Sequence, residues 1–240
     1  MPWGRRTPKG TRLPVVNRPL EHQSDRGYGR RMTSAVGDLL VRAWRVQRAG
    51  DPDGVYDEVL RQVSARAAAE GALGKADIGA LVLWKRITAQ TKWANTLMLK
   101  PDAEVREATG QAYEFANDPS VAIPDAGQVA RDVLWWNVPG MRGTAALASA
   151  VLLALAPERM AVWDLRVGHA LTALGRYPDE RIGFYGTYLT TALDLADAMG
   201  SVSGEGPFVP RDVDLALFHI AGNDELLAEA RMLADIGAVS

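Results

Sequence analysis

The sequence predicts an all-α fold, and three observations lead to this prediction. Apolar residues recur at helical spacing along most of the chain, beginning with Val36, Leu39, Leu40 and Ala43. Glycine, proline and aspartate interrupt these runs where helices begin and end. Alternating strand patterns and Asn-Gly turns are scarce, and no internal repeat of fixed period is visible. We therefore expect about ten helices with short loops, arranged as two helical lobes around a cleft.

The separate helices follow from capping residues and apolar stripes. The first begins near Thr33 and ends at Gly50, and Asp53 is predicted to cap the second. Asp77 is predicted to cap a long third helix that continues to Leu97. One further helix is predicted to begin at Pro101, a second to run from Pro124 to Trp136, and a third to follow a hairpin near residue 140. The last four predicted helices span about 163–175, 179–199, 210–220 and 223–236.

The chain divides into an arm and a helical domain. Residues 1–31 are rich in arginine, proline and glycine and lack apolar periodicity, which predicts a flexible basic N-terminal arm. This arm is either a solvated or extended tail, or a segment that contacts DNA or another partner. Residues 32–240 form the helical domain, with a hairpin lobe of about 78–175 and a second lobe from 32–77 plus 176–240.

Composition excludes several classes of protein. The 240 residues are 48% apolar, which is enough for a substantial core, and cysteine is absent. Disulfides, thiolate zinc sites and cysteine-ligated iron–sulfur clusters are therefore excluded. There is no apolar stretch of about 18 residues and no apolar core of a secretory signal, so we expect a cytoplasmic protein that binds no membrane.

The charge balance counts mildly against DNA binding. The net charge is −2, whereas a nucleic-acid binder is usually basic over its contact face because it must neutralise phosphates. The charge is unevenly placed, since residues 1–31 carry eight lysines and arginines against two acidic residues. A slightly negative net charge for the whole chain is therefore compatible with a basic arm or a basic face.

A glycine-rich turn lies between two predicted helices. Gly140 and Gly143 enclose Met141 and Arg142 at positions where a tight hairpin requires positive φ, and a helix of small residues follows. Exposed backbone amides and the helix dipole make such a point a natural phosphate site. The alternative is a plain helix–helix turn.

Asp164 is the acid that follows this turn. It lies directly after Trp163, in an apolar patch, and directly before a predicted helix. A carboxylate held at a helix N-terminus beside apolar walls can stabilise a sugar with oxocarbenium character and align a water molecule. The alternative is that Asp164 only caps the helix.

The order of helix, glycine hairpin, second helix and Asp resembles the helix-hairpin-helix DNA glycosylases, which are endonuclease III-like. Val138-Pro139-Gly140 looks like the Leu-Pro-Gly start of the family's hairpin, and Gly143 looks like its second glycine. Ala148 to Leu152 resembles the second hairpin helix, and Val162 to Asp164 resembles the approach to the catalytic Asp. Ile87 to Thr91 looks like a helix whose Gln reaches into the duplex.

The resemblance implies roles for these residues. Asp164 would be the catalytic carboxylate, the backbone of Gly140–Gly143 would hold a phosphate, and Gln90 would fill the gap left by an extruded nucleotide. For Gln90 the alternative is a surface position on a helix. Ala145 or Ala146 stands where bifunctional members carry an attacking lysine, so the resemblance implies a monofunctional enzyme that uses water.

Other residues have weaker assignments. Trp84, Trp136 and Trp163 are predicted to wall the pocket for an extruded base, with packing in the core as the alternative. Arg166 either contacts phosphate or stabilises a helix end. Lys85 and Lys92 flank the Gln-bearing helix, and their spacing assigns neither to the sugar. Arg211-Asp212 and Asp214 are predicted to be a helix start with a surface ion pair.

The sequence thus predicts a DNA glycosylase-like protein that hydrolyses the N-glycosidic bond of a damaged or modified base. Its partner would be double-stranded DNA with the base extruded, bound by a monomer. No cofactor is expected, and no metal is expected because the three histidines show no ligand spacing with acids. The alternatives are a nucleoside or nucleotide N-glycoside hydrolase on the same scaffold and a noncatalytic helical DNA-binding protein.

Overall fold

The structure is a computed structural model, and it describes residues 28–88, 91–142, 145–178 and 183–238. Within these ranges the chain forms eleven helices and no strand, which confirms the all-α prediction. The helices are α1 (Tyr28–Ala49), α2 (Glu58–Glu70), α3 (Lys75–Trp84), α4 (Thr91–Leu99), α5 (Asp102–Asn117), α6 (Ile123–Asn137), α7 (Ala145–Leu155), α8 (Leu165–Ala173), α9 (Phe184–Ser203), α10 (Pro210–Ala221) and α11 (Asp224–Ala238). Over the same described residues, no helix combines the length and apolar character that a membrane span requires.

Helix α7 is the centre of the core. Its residues Leu147–Leu155 are all buried, and it packs against α2, α3, α5 and α6. A helix that is apolar on every side has no face that water would favour, and it is therefore enclosed by other helices. Ser149 is the one polar residue of this buried run, and its hydroxyl accepts a hydrogen bond from the backbone N–H of Trp163.

The helices form two packing groups. Around α7 lie α2, α3, α5 and α6, whereas α1, α8, α9, α10 and α11 pack on one another. Contacts between α6 and α9 join the two groups. Helix α8 belongs to the second group, since it packs beside α10 and α11. Its start also reaches the first group, because Asp164 pairs with Lys85 at the end of α3.

Helices α1 and α2 begin at positions other than those predicted. Helix α1 begins at Tyr28, inside the segment assigned to the arm, and residues 1–27 of that arm lie outside the described residues. Helix α2 begins at Glu58, so the prediction that Asp53 caps it was wrong. The chain before α2 is instead held by Asp51, whose carboxylate accepts two backbone N–H groups four and five residues further on.

The predicted long third helix is broken into α3 and α4. Helix α3 ends at Trp84, and Arg86 adopts a φ of +51°, which no helix residue adopts. A side chain in this left-handed region costs about 1–2 kcal/mol, and glycine usually occupies it. Asp77 was predicted to be the cap, but it lies in the first turn, where its carboxylate accepts the N–H of Gly74.

Candidate functional site

The chain that leads from α7 into α8 ends in a segment without helical structure, Ala161–Asp164, whose first three residues are buried. Two tyrosines of α9 hold its carbonyl groups: the Tyr185 hydroxyl donates to Ala161 O at 2.7 Å, and the Tyr188 hydroxyl donates to Val162 O at 2.9 Å. Burial raises the pKa of both tyrosines, so both hydroxyls keep their protons. The segment is therefore held by two buried hydroxyl groups that remain hydrogen-bond donors.

The N–H groups of the same segment are held from two further helices. Val162 N donates to Asp214 Oδ2 of α10 at 2.7 Å, and Trp163 N donates to Ser149 Oγ of α7 at 2.9 Å. A buried backbone without a sheet partner would otherwise leave these groups unsatisfied, which costs about 1–3 kcal/mol each. Four buried side chains thus set the position of the residue that follows, Asp164.

Asp164 is the N-cap of α8. Its Oδ1 accepts the N–H groups of Arg166 and Val167, each at 3.0 Å, so the capping role considered from sequence is present. Burial alone would raise the pKa of Asp164, but the charge and hydrogen bond of Lys85 together with the two backbone amides lower it below its ordinary value. The carboxylate is therefore ionised at neutral pH.

The second oxygen of this carboxylate forms an ion pair with Lys85. Lys85 Nζ lies 2.7 Å from Asp164 Oδ2, and the two side chains are 12% and 16% exposed. Lys85 is the C-terminal cap of α3, 79 residues away along the chain. Sequence spacing assigned Lys85 to no site, and the structure brings it to the one acid predicted to be functional.

A cavity of about 100 Å³ opens beside this pair. Trp84, Tyr56, Phe218 and Val162 contribute apolar wall, and the cavity lies between the ends of helices from both packing groups. The full set of charged residues around it is Arg48, Asp51, Asp57, Arg61, Lys85, Asp164, Arg211 and Asp214. Acidic and basic residues are thus equal in number, four of each, so the site as a whole is close to neutral.

A largely buried cluster around Arg211 lines one part of the cavity. Its guanidinium donates to Asp57 at 2.9 Å and to Asp214 at 2.5 Å, and Asp57 also accepts the indole N–H of Trp84 at 3.1 Å. Arg211 and Asp214 were predicted to pair at the surface, but the pair is buried, with the Asp214 side chain 3% exposed. Burial raises the pKa of Asp214 to about 6, although Arg211 and the Val162 amide oppose this shift.

Of the three tryptophans predicted to wall a base pocket, one lines the cavity. Trp84 is 5% exposed and lies beside Lys85. Trp163 is 9% exposed, but its ring packs edge-on against Tyr177, Phe184 and Tyr188, outside the wall of the cavity. Trp136 is 68% exposed on the protein surface.

The predicted hairpin is described in part. Gly140 has a φ of +95°, and a Cβ at this position would lie 2.5 Å from the ring of Trp93, so only glycine fits. The Met141 side chain is fully buried, and its N–H donates to Val138 O inside the turn. Phosphate contact from this residue is therefore restricted. Gly143 lies outside the described residues, as does Gln90.

Two predicted arginines are exposed. Arg142 stacks on Trp136, with its guanidinium 4.2 Å from the ring centre, and also donates to Trp135 O. Arg166 lies 4.6 Å above the ring of Phe218, which lines the cavity. Arg166 thus lies beside Asp164, whereas Arg142 stands on the hairpin.

Sequence reasoning missed Lys85, Asp57 and the burial of Arg211 with Asp214. A lone Lys at a helix end carries no local signal, and the contacts that define its role join residues far apart in the chain. The one available signal was the spacing of Arg211 and Asp214, which places them three residues apart on one helix face and so predicts an ion pair. The spacing is the same for an exposed pair and a buried pair, so it did not reveal the burial.

No family model, no curated protein and no solved structure matches this chain. Among the residues that the structure describes, no group of three His, Cys, Asp or Glu side chains could hold a metal ion. The chemistry of the cavity around Asp164 is the basis for the functional proposal that follows.

Proposed function

We propose that this chain hydrolyses the N-glycosidic bond of a damaged or modified base in double-stranded DNA, with Asp164 as the catalytic carboxylate. The observation that carries the proposal is the state of Asp164 itself. Its carboxylate is ionised, its backbone is fixed by buried hydrogen bonds, and it faces a cavity with an aromatic wall. A charge that is held rigidly in a partly dry site can stabilise a cationic sugar without reorganisation.

The proposed reaction adds water across the bond between sugar and base. The bond from the anomeric carbon to the base nitrogen breaks, and its electron pair leaves with the base. Asp164 stabilises the positive charge that develops on the sugar. A water molecule attacks the anomeric carbon, and its proton passes through the carboxylate to the departing base.

The proposed architecture is the one that the resemblance implies, with two lobes around a cleft. Helices α6 and α7 would be the hairpin helices, and the tight turn at Gly140 supports this assignment. Trp84 would face the extruded base from the cavity wall. Arg166 and Arg142 are exposed cations that could meet the DNA backbone, and Arg166 stacks on Phe218, which lines the cavity.

A nucleoside or nucleotide hydrolase is the second proposal, and the size and charge of the cavity favour it. About 100 Å³ with balanced charge suits a small ligand, and the chain carries a net charge of −2 rather than a basic excess. The chemistry at Asp164 would be unchanged, since only the group attached to the sugar differs.

The test is base release by matched variants. DNA treated separately with a methylating agent, hydrogen peroxide and nitrous acid is incubated with the protein, and free bases are measured by mass spectrometry. Wild type should release bases from at least one pool, and Asp164→Asn should release none while staying folded. Asp77→Asn is the matched control. The Asp77 carboxylate also accepts a backbone N–H and forms an ion pair at a helix start, but it lines no part of this cavity.

Equal turnover by wild type and Asp164→Asn would refute the assigned mechanism. Release of bases from free modified nucleosides, with none from any DNA pool, would favour the second proposal. Binding to DNA without release of any base from either substrate would favour a noncatalytic DNA-binding protein in which Asp164 is only a cap.

A further inference from the structure

The ion pair between Lys85 and Asp164 raises a problem for catalysis. A carboxylate that stabilises a cationic sugar acts through its negative charge. An ammonium 2.7 Å away, in a site where both side chains are largely buried, cancels most of the field that this charge produces. The pair must therefore open before Asp164 can act on a sugar.

Within the cavity, other carboxylates are poor destinations for the Lys85 ammonium. Asp57 and Asp214 are both held by Arg211, and Asp214 also accepts the Val162 amide. The third, Asp51, accepts the N–H groups of Val55 and Tyr56. The rings of Trp84 and Phe218 lie 5.5 and 5.8 Å from Lys85 Nζ, where they stabilise the cation without neutralising it. An anion that replaces Asp164 as the partner of Lys85 must therefore come with the ligand.

The surroundings of the pair favour an anionic ligand. Arg166 lies over Phe218, Arg86 lies 6.0 Å from the ring of Tyr56, and Phe218 and Tyr56 both line the cavity. Both arginines are exposed and follow the paired residues closely in the chain. A lysine ammonium is a compact point charge on a flexible stem, and it suits a phosphate oxygen that can be reached by a small movement.

We infer that Lys85 makes the site selective for a sugar flanked by a phosphate. A phosphate next to the bound sugar draws Lys85 away from Asp164 and so frees the carboxylate charge, whereas an uncharged nucleoside leaves the ion pair closed. This inference rests on the proposed function, and it names the substrate class as a phosphate-bearing nucleotide unit rather than a free nucleoside. Lys85 is a specificity residue that acts through Asp164.

The probes are four short duplexes of one sequence. Two carry at one position a pyrrolidine azasugar, which is cationic and mimics the charged sugar, and two carry the neutral tetrahydrofuran analogue. In one duplex of each kind, the two phosphates that flank this position are replaced by uncharged methylphosphonates. The measured quantity is the preference ratio, the affinity for the pyrrolidine duplex divided by that for the tetrahydrofuran duplex of the same backbone.

Wild type should have a high preference ratio on native phosphates, and this ratio should fall about tenfold or more with methylphosphonates. In Lys85→Met the ratio should be nearly independent of the backbone, because the carboxylate is free without any phosphate. On the methylphosphonate backbone Lys85→Met should therefore show a higher ratio than wild type, which a loss of structure cannot produce. Lys85→Arg keeps the charge and should retain the dependence on phosphate.

Lys100→Met is the matched control, since Lys100 forms an ion pair of the same length with Glu104 on the surface of α5 and lines no part of the cavity. It should behave as wild type. An equal fall of the ratio in wild type and Lys85→Met would overturn the inference. A wild-type ratio near one on native phosphates would instead overturn the proposed function, so the two failures are distinguishable. Thermal unfolding of each variant identifies any that do not fold.

Discussion

Ser149→Ala removes one oxygen from the structure that holds Asp164 in place. Ser149 Oγ accepts the Trp163 N–H at 2.9 Å and lies 2.9 Å from Ala145 O, to which it donates. Without the hydroxyl, the Trp163 N–H is left buried and unpaired, which costs about 1–3 kcal/mol. Alanine is the better helix former by about 0.5 kcal/mol, so we expect a net loss of about 0.5–2.5 kcal/mol.

Urea denaturation and thermal unfolding measure this loss. For a chain of this size, each kcal/mol lowers the Tm by about 2–4 °C, so a fall of about 1–10 °C is expected. Amide hydrogen exchange should show faster exchange at Trp163 in the variant. Ser201→Ala is the control, because Ser201 also lies on a helix and donates to a carbonyl of that helix, but is exposed.

A loss below about 0.5 kcal/mol in Ser149→Ala, equal to that of Ser201→Ala, would refute the reasoning. It would mean that the Trp163 amide finds another partner, such as water. The segment that carries Asp164 would then be less firmly held than its hydrogen bonds indicate.

Two further predictions concern stability. The folded pKa of Asp214 is about 6 and its ordinary value is 3.8, so between these pH values the folded state binds more protons than the unfolded state. The free energy of unfolding attributable to this group therefore falls as pH rises from about 4 to 6. Asp214→Asn should remove that part of the pH dependence in urea titrations, and an unchanged pH dependence would contradict the assignment. Gly140→Ala should destabilise the protein by about 1–3 kcal/mol, since φ is +95° and the new Cβ meets Trp93. Gly200→Ala, in open space on α9, should be neutral or stabilising in the same denaturation assay. Equal effects of the two changes would refute the strain at Gly140.

The parts of the fold that sequence predicted are those with local causes. The start of α8 was predicted because an Asp before an apolar run offers its carboxylate to free N–H groups, and Asp164 does this. The positive φ at Gly140 was expected because a tight turn selects the residue without a Cβ. Such features depend on a few neighbouring residues, so they are visible in the sequence.

The break after α3 could not be predicted, because the residue in the left-handed conformation is Arg86. At the end of α8 the same kind of turn carries Gly175, with a φ of +63°, and there glycine marks the helix end. At Arg86 the surrounding structure imposes the conformation, so the sequence carries no signal. The predicted helix therefore ran through this position.

Of the residues that line the cavity, sequence singled out two as site candidates, Asp164 and Trp84. Which tryptophan faces the cavity depends on how each helix is rotated, and Trp84 faces it whereas Trp163 packs among tyrosines and a phenylalanine. The partners of Asp164 and Arg211 come from residues 79 and 154 positions away, and one sequence carries no information about such pairs. Lys85 was therefore considered only by its spacing and left unassigned.

The central claim is that the ionised carboxylate of Asp164 acts on a cationic sugar. Affinity for duplexes that carry the pyrrolidine azasugar or its neutral tetrahydrofuran analogue, measured at three salt concentrations, tests this most directly. Wild type and Asp77→Asn should prefer the pyrrolidine duplex strongly at every salt concentration, and Asp164→Asn should bind the two duplexes equally. Equal, salt-sensitive binding of both duplexes by wild type, or an undiminished preference in Asp164→Asn, would contradict the claim.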